Sequence, residues 1–203
     1  LFIVQYALGR TLIDLGVKPS VLIGHSVGEY VAATLSQMFS LRDGIRIISK
    51  RAELMNKVPK GAMLSVASTL DEVAAEVKSF ELDIAAINGL KSVVVAGPID
   101  IVDKFKNYLE SKGIASVVLK TSHAFHSRMM NIVLDEFNSF VDTIEIKAPV
   151  IKIISTANTH LEITSNEYWA AHIANTVNFS PVMEKVIDEF DGNFLEVGPG
   201  QVL

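Results

Sequence analysis

The 203-residue chain contains no cysteine, which removes disulfides, thiolate metal sites and a cysteine nucleophile together. The same absence fits a reducing compartment, and a cytoplasmic protein is expected. No apolar run approaches the roughly 18–20 residues that a membrane-spanning helix needs, and no signal-peptide pattern opens the chain. An excess of positive charge is also missing. Eighteen Lys and Arg against 23 Asp and Glu leave a net charge of −5, so long-range attraction to nucleic acid or to an anionic membrane is not favoured, and neither partner is expected. Repeats and low-complexity tracts are absent too. What is there has an ordinary globular balance, 49% hydrophobic and 20% charged, in a chain long enough for one good core or one core with a small satellite. Leu1-Phe2-Ile3-Val4 reads as uncapped helix interior and Gly198-Pro199-Gly200-Gln201-Val202-Leu203 as a turn. The expectation is a fragment of a larger domain or multidomain enzyme.

Hydrophobic spacing divides the chain into elements. Val4, Leu8, Leu12 and Leu15 fall on one helix face, closed by Gly16 as a C′ residue. Val21-Leu22-Ile23 has β-branched ends and reads as a buried strand. Residues 29–35 and 43–56 read as helices, the second with Ile45, Ile48, Ala52 and Met55 on its apolar face and Asp43 in the first turn, where the helix dipole favours an acid. Between 62 and 119 the rhythm changes. Strands are expected at 63–67, 84–87, 92–96 and 116–119, with Asn88-Gly89 separating the middle pair. Helices are expected at 69–79, where Thr69 and Glu72 form a capping box, and at 100–112, closed by Gly113. That β-α-β-β-α-β order matches the ferredoxin-like pattern. Further on, helices are expected at 129–141, 168–174 and 182–190, and strands at 150–155 and 193–197. The fold class is therefore α/β: a large α/β-hydrolase-like domain with a parallel sheet, from 1–60 and 120–203, carrying an inserted ferredoxin-like small subdomain at 61–119.

Gly24-His25-Ser26-Val27-Gly28 is G-x-S-x-G placed between a strand and a helix, the context of a nucleophile elbow. Such strings also arise by chance; the strand before and the helix after favour the functional reading. A turn this sharp is expected to exclude side chains on both flanks, hence Gly24 and Gly28. It lifts the Ser26 hydroxyl out of the sheet and aims the Val27 N–H at an oxyanion. A serine hydroxyl needs a base, and there are five histidines: His25, His123, His126, His160 and His172. His25 occupies the elbow itself, His160 lies in a polar loop, and His172 reads as a surface helix position. His123 and His126 lie where the small subdomain hands the chain back, a junction that lines a cleft. Position alone leaves these two nearly level.

Gly24-His25-Ser26-Val27-Gly28-Glu29-Tyr30 resembles the GHSxGEY elbow of malonyl-CoA:acyl-carrier-protein acyltransferases, free enzymes of fatty-acid synthesis or domains of modular polyketide synthases. His123-Ala124-Phe125-His126-Ser127 is similar to the HAFHS block of the polyketide-synthase branch. Asn88-Gly89 with Val93-Val94-Val95-Ala96-Gly97, and Phe194-Leu195-Glu196-Val197-Gly198-Pro199-Gly200, resemble two further blocks, in the same order. The resemblance implies Ser26 as nucleophile and His126 as general base and acid. It places Arg51 at an arginine that pairs the malonyl carboxylate, a match for a guanidinium fork; a surface arginine complementing a helix C-terminus is the plain alternative. Apolar Ile47 and Met55 put Arg51 at the edge of the buried face. The histidine is oriented in this family by a backbone carbonyl, for which Asn175 is the candidate. Asn88, His25 and Val27 fall near the acyl site, although an Asn-Gly hairpin turn accounts for Asn88 equally well.

Phe125 before the base, with Val27 after the nucleophile, resembles the malonyl-selective branches; methylmalonyl branches carry a small serine before the histidine. Packing between the two subdomains is the alternative for Phe125. The implied partners are malonyl-CoA, an acyl carrier protein with its phosphopantetheine arm, and neighbouring synthase domains, with no metal and no bound cofactor. The family also has an upstream G-Q-G segment that supplies half of the oxyanion hole, and this chain starts after it. A serine hydrolase or thioesterase, marked by an acidic residue on the histidine, and a truncated non-catalytic domain are the rival readings.

Overall fold

The computed structural model describes residues 1–200; the expected terminal turn lies partly outside them. Helix α1 (Phe2–Asp14) closes through Gly16, whose φ of +100° suits a residue without Cβ, with the Val17 N–H returning 3.0 Å to the Leu12 carbonyl. Its inward face differs from the expected stripe. Val4 and Leu15 are 54% and 78% exposed, and Phe2 and Gly9 are buried instead. A Cβ at Gly9 would sit 2.7 Å from Leu35 Cδ1. Close approach at the glycine therefore sets the rotation of α1 against α2 (Val27–Leu35).

The same correction applies to α3 (Leu41–Met55), capped by Ser40. Its buried residues are Gly44, Ile47, Arg51, Leu54 and Met55, while Ile45 and Ala52 face solvent. A Cβ at Gly44 would meet Thr34 Oγ1 at 2.5 Å, so the glycine faces inward. Arg51 follows two turns on, in the middle of the buried face rather than at its edge.

Strand β1 (Val21–Ile23) pairs in parallel with β6 (Lys152–Ile154). Both are half-buried rather than fully buried. Residues 193–197 form no strand, and Phe194 and Leu195 are 51% and 63% exposed. An apolar run becomes a strand only beside a ladder that accepts it, and among the described residues this sheet has two strands.

Strands β2 (Ala62–Val66), β3 (Asp83–Gly89), β4 (Ser92–Gly97) and β5 (Ser116–Val118) form an antiparallel sheet in the order β3-β4-β2-β5. Helices α4 (Leu70–Ser79) and α5 (Ile99–Ser111) cover one face. The capping box forms: the Thr69 hydroxyl accepts the Glu72 N–H, and Glu72 accepts the Thr69 N–H. Period-2 alternation sorts the strands. Leu64, Val66, Val93 and Val95 join Val73, Val77 and Phe105, while Met63, Val94 and Ala96 face Ala124 and Val177 on the opposite side. Two register shifts lengthen β3, so the hairpin turn falls at Leu90-Lys91 and Asn88 stays in the strand.

Residues 129–141 are not one helix. A 3-10 helix (Arg128–Val133), started by Ser127, runs into α6 (Leu134–Val141). Helices α7 (Asn166–Ala171) and α8 (Phe179–Glu189) complete the chain. Tyr30, Phe39, Ile47, Phe137, Trp169 and Ile173 lie in the core between α2, α3, α6 and α7. Val177 stitches the two parts together. It bridges Ala86 of β3 and Ala157 after β6, and its N–H reaches the Ala85 carbonyl at 2.9 Å. The architecture is mixed α/β with one parallel and one antiparallel sheet. Among the described residues no helix is long and apolar enough to cross a membrane.

Candidate active site

Ser26 leaves β1 and caps α2 with φ 52° and ψ −116°, a left-handed backbone that a side-chain-bearing residue adopts at a cost. A Cβ on Gly24 would lie 2.1 Å from the Glu29 backbone nitrogen, so only glycine fits there. Gly28 corrects the expectation of a clash on both flanks. Nothing lies within 4 Å of a Cβ built there, because Gly28 already follows the helical path of α2.

The Ser26 hydroxyl lies 2.7 Å from His126 Nε2, and His126 Nδ1 lies 2.9 Å from the Asn175 carbonyl. A carbonyl only accepts, so Nδ1 carries the hydrogen and Nε2 presents its lone pair to the serine. His126 is 4% exposed. Burial, and then the Arg51 charge, push its pKa down to about 3, so the ring is neutral at ordinary pH. Its own φ is +56° and its N–H is tied to the Ile173 carbonyl at 3.2 Å.

Arg51 is 8% exposed, with Nη2 3.5 Å from Ser26 Oγ and its guanidinium carbon 5.7 Å from the Tyr30 ring centre. Nε is buried without a hydrogen-bond partner. No aspartate or glutamate among the described residues forms a salt bridge with it, although burial penalises its charge. Beside the serine, then, stands a buried guanidinium.

Across the mouth, His25 Nε2 lies 2.8 Å from Asn88 Oδ1, and the His25 ring is 5.5 Å from Phe179. The antiparallel sheet thus touches the elbow directly. Phe125 is half-buried and packs against both the main core and the cluster beneath that sheet. His123 is buried and bonded to the neighbouring Ser122 hydroxyl at 2.8 Å. His160 is exposed in a loop.

His172 corrects another expectation. It is 1% exposed rather than on the surface, with its ring 5.9 Å from His126 and edge-on to Tyr30 at 5.1 Å. Helix α7 is too short to offer a polar face: Tyr168, Trp169 and Ala170 are all buried. Burial holds the His172 pKa well below its usual value. Sequence reading also passed over Glu29 and Thr156. Glu29 is fully buried, contacted by the Thr156 N–H at 2.6 Å, the Thr156 hydroxyl at 2.8 Å and the Tyr168 hydroxyl. The available signal was a lone acid opening the apolar run Tyr30-Val31-Ala32-Ala33. Among the described residues no group of acidic, histidine or cysteine side chains is arranged to hold a metal ion.

Comparison with known proteins places this geometry. The family described as acyl transferase domain matches residues 1–203. The chain is 36% identical to polyketide synthase GfsB of Streptomyces halstedii, over all of this chain and 4% of that synthase. It is 33% identical to the PKS-NRPS hybrid synthetase ATPKS of Aspergillus niger, over all of this chain and 12% of that protein. Its fold matches the acyltransferase domain from the second module of the salinomycin polyketide synthase with a TM-score of 0.91 and 34% identity, covering 98% of this chain and 48% of that one. FabD from Acinetobacter baumannii matches with a TM-score of 0.92 and 26% identity, covering 98% and 68%. The chain therefore spans a small part of the curated synthases it matches, and it belongs to the acyl transferase domain family.

Proposed function

We propose that this domain moves a malonyl group from malonyl-CoA to the phosphopantetheine thiol of an acyl carrier protein through an ester on Ser26, in polyketide or fatty-acid synthesis. The observation that carries the reading is Arg51: a buried guanidinium beside the Ser26–His126 pair with no acidic partner among the described residues. Burying a cation unpaired is costly. The acyl group that enters should therefore bring its own carboxylate, which Arg51 pairs through charge-assisted hydrogen bonds.

His126 takes the Ser26 proton as the oxygen attacks the thioester carbonyl. The oxyanion collects at the Val27 N–H, the first residue of α2, where the helix dipole adds to the hydrogen bond. As the C–S bond breaks, His126 returns the proton to the departing coenzyme A thiol. The carrier-protein thiol then repeats the sequence against the ester, and Ser26 regains its hydrogen. The Asn175 carbonyl holds the imidazole in the tautomer that this needs. Its place is taken in hydrolases by a carboxylate, which supports transfer over hydrolysis. His25, beside the serine in the chain, is joined to Asn88 at 2.8 Å, and Phe125 adjoins His126 in the chain. No metal or bound cofactor enters the scheme. The β-α-β-β-α-β order supports reading 61–119 as a ferredoxin-like insert in an α/β-hydrolase-like domain formed by 1–60 and 120–203.

Incubation with malonyl-CoA followed by intact-mass analysis tests the reading. The protein should gain one malonyl mass, and Ser26→Ala should gain none. A label retained in Ser26→Ala would overturn the assignment.

A further inference from the structure

The proposed reaction gives no part to Glu29, a carboxyl group with 0% exposure one helical turn beyond the nucleophile. Its surroundings pose a problem of hydrogen counting. The Thr156 hydroxyl lies 2.8 Å from Glu29 Oε1 and also 2.8 Å from the Gly24 carbonyl. Neither a carboxylate nor a carbonyl can donate, and the hydroxyl has one hydrogen. With Glu29 ionised, one of these two contacts is a pair of facing lone pairs in a buried site, where an unmade hydrogen bond is costly. With a hydrogen on Oε1, both contacts become hydrogen bonds: Glu29 donates to Thr156, and Thr156 donates to Gly24. The remaining contacts are donors to the carboxyl and favour its ionised form, which burial opposes. The Thr156 N–H still donates to Oε1 at 2.6 Å, and the Tyr168 hydroxyl donates to Oε2 while accepting from Ser155. His172 Nε2 stands 3.5 Å from Oε2, and burial holds the His172 pKa well below its usual value, so the ring stays neutral and supplies no counter-charge.

We infer that Glu29 is held as a neutral carboxylic acid and serves as a positioning residue for the nucleophile elbow, acting through Thr156 on the Gly24 carbonyl. The elbow needs such a brace. Ser26 sits at φ 52° between Gly24 and the first turn of α2, and strained backbone persists only where its surroundings over-determine it. The Glu29–Thr156–Gly24 chain ties the residue two before the serine to the residue three after it, and anchors both to the segment after β6. Burial raises the Glu29 pKa against four opposing hydrogen bonds, in the same direction.

The test uses Thr156→Val, which keeps the shape and removes the hydroxyl, and Thr156→Ser, which restores it. Ser26 reactivity is read with phenylmethylsulfonyl fluoride, a reagent indifferent to the acyl donor, and in parallel with malonyl-CoA. Thr156→Val should slow sulfonylation and the kcat of malonyl transfer by about tenfold, the worth of one buried hydrogen bond, with KM for malonyl-CoA little changed. Thr156→Ser should recover to within about threefold of wild type. In the unmutated protein, the sequentially assigned Glu29 Cδ carbon resonance should sit at the carboxylic-acid position at pH 7. That measurement decides the matter even if Thr156→Val fails to fold. A carboxylate resonance, or a folded Thr156→Val that reacts at the wild-type rate, overturns the inference. A wild-type protein that reacts with the sulfonyl fluoride yet takes no malonyl group would overturn the proposed function and leave the role of Glu29 standing.

Discussion

The antiparallel unit at 62–118 and the rest of the molecule spend their interiors differently. Among the described residues, every buried polar or charged side chain except Ser68 lies outside that unit. Ser68 itself is satisfied locally by Glu72 at 2.6 Å. Inside the unit, strands alternate and two amphipathic helices cover one face, with a core of valine, leucine and phenylalanine. The other part buries Glu29, Arg51, His126, Thr156 and His172 around one serine, and bends the backbone at Ser26 and His126 into the left-handed region. One part is built for packing and the other accepts local cost to hold reactive groups. Gln37 and Glu81 are left-handed too, but at the positions that close α2 and α4, where such backbone is ordinary.

The largest effect that separates the two is a cavity. Phe105 is fully buried in the core of the antiparallel unit. Phe105→Ala should lower unfolding free energy by about 3–5 kcal/mol, read from denaturant titration, while the malonyl label per folded molecule stays near wild type. A lost label in the folded variant would show that the unit's core does more than pack.

Arg51→Ala should behave in the opposite way. Loss of the charge-assisted pair should cost malonyl transfer about 1.5–3 kcal/mol, read as kcat/KM, with acetyl transfer less affected or improved. Stability should hold or rise, because an unpaired buried charge is removed. Equal losses with both acyl groups would make Arg51 structural.

Acid should find the same asymmetry. His25, His123, His126 and His172 all have folded pKa values below the 6.5 of the unfolded chain. Below pH 6.5 the unfolded state therefore binds protons that the folded state refuses, and stability falls with falling pH by up to about 1.4 kcal/mol per pH unit for each histidine. Glu29 is raised above 4.5 and works in the opposite sense at pH above that value, offsetting part of the loss. Between pH 6.5 and 4.5 a net loss should remain, and His172→Phe should reduce it. The rate of Ser26 acylation, by contrast, should stay flat through pH 6, because His126 remains unprotonated there. A rate that halves near pH 6.5 would show an exposed, ordinary imidazole.

The two parts were also unequally legible in the sequence. The capping box at Thr69, the closing glycines Gly16 and Gly113, and the β-α-β-β-α-β order follow from local rules, and local rules govern the antiparallel unit. The helix faces of α1 and α3 did not follow. Gly9 and Gly44, silent in a hydrophobic pattern, set the rotation by close approach. The apolar run at 193–197 carried a strand pattern with no ladder to join. G-x-S-x-G announced Ser26, while the choice between His123 and His126 needed the resemblance, because which ring reaches the serine depends on a tertiary junction. Glu29, Thr156 and His172 gave little local sign, since their partners lie far along the chain: Glu29 and Thr156 are 127 residues apart and His172 stands edge-on to Tyr30 of α2.

The smallest effect concerns a side chain shared by the two parts. Phe125 immediately precedes His126 and packs against the main core on one side and the cluster beneath the antiparallel sheet on the other. Those contacts agree with a packing role, and they also fix the ring. On the proposed function, a ring packed on both sides beside the base leaves little room for a branch on the α-carbon of the acyl group. Malonyl should therefore be preferred over methylmalonyl, by the 1–3 kcal/mol or so that exclusion of one methyl group provides. Competition between the two CoA esters measures the ratio. Phe125→Ser should shift it toward methylmalonyl and, by opening a cavity between the clusters, also lower stability. A variant that loses stability with an unchanged ratio would assign Phe125 to packing alone, and the acyl pocket would then be shaped by other residues.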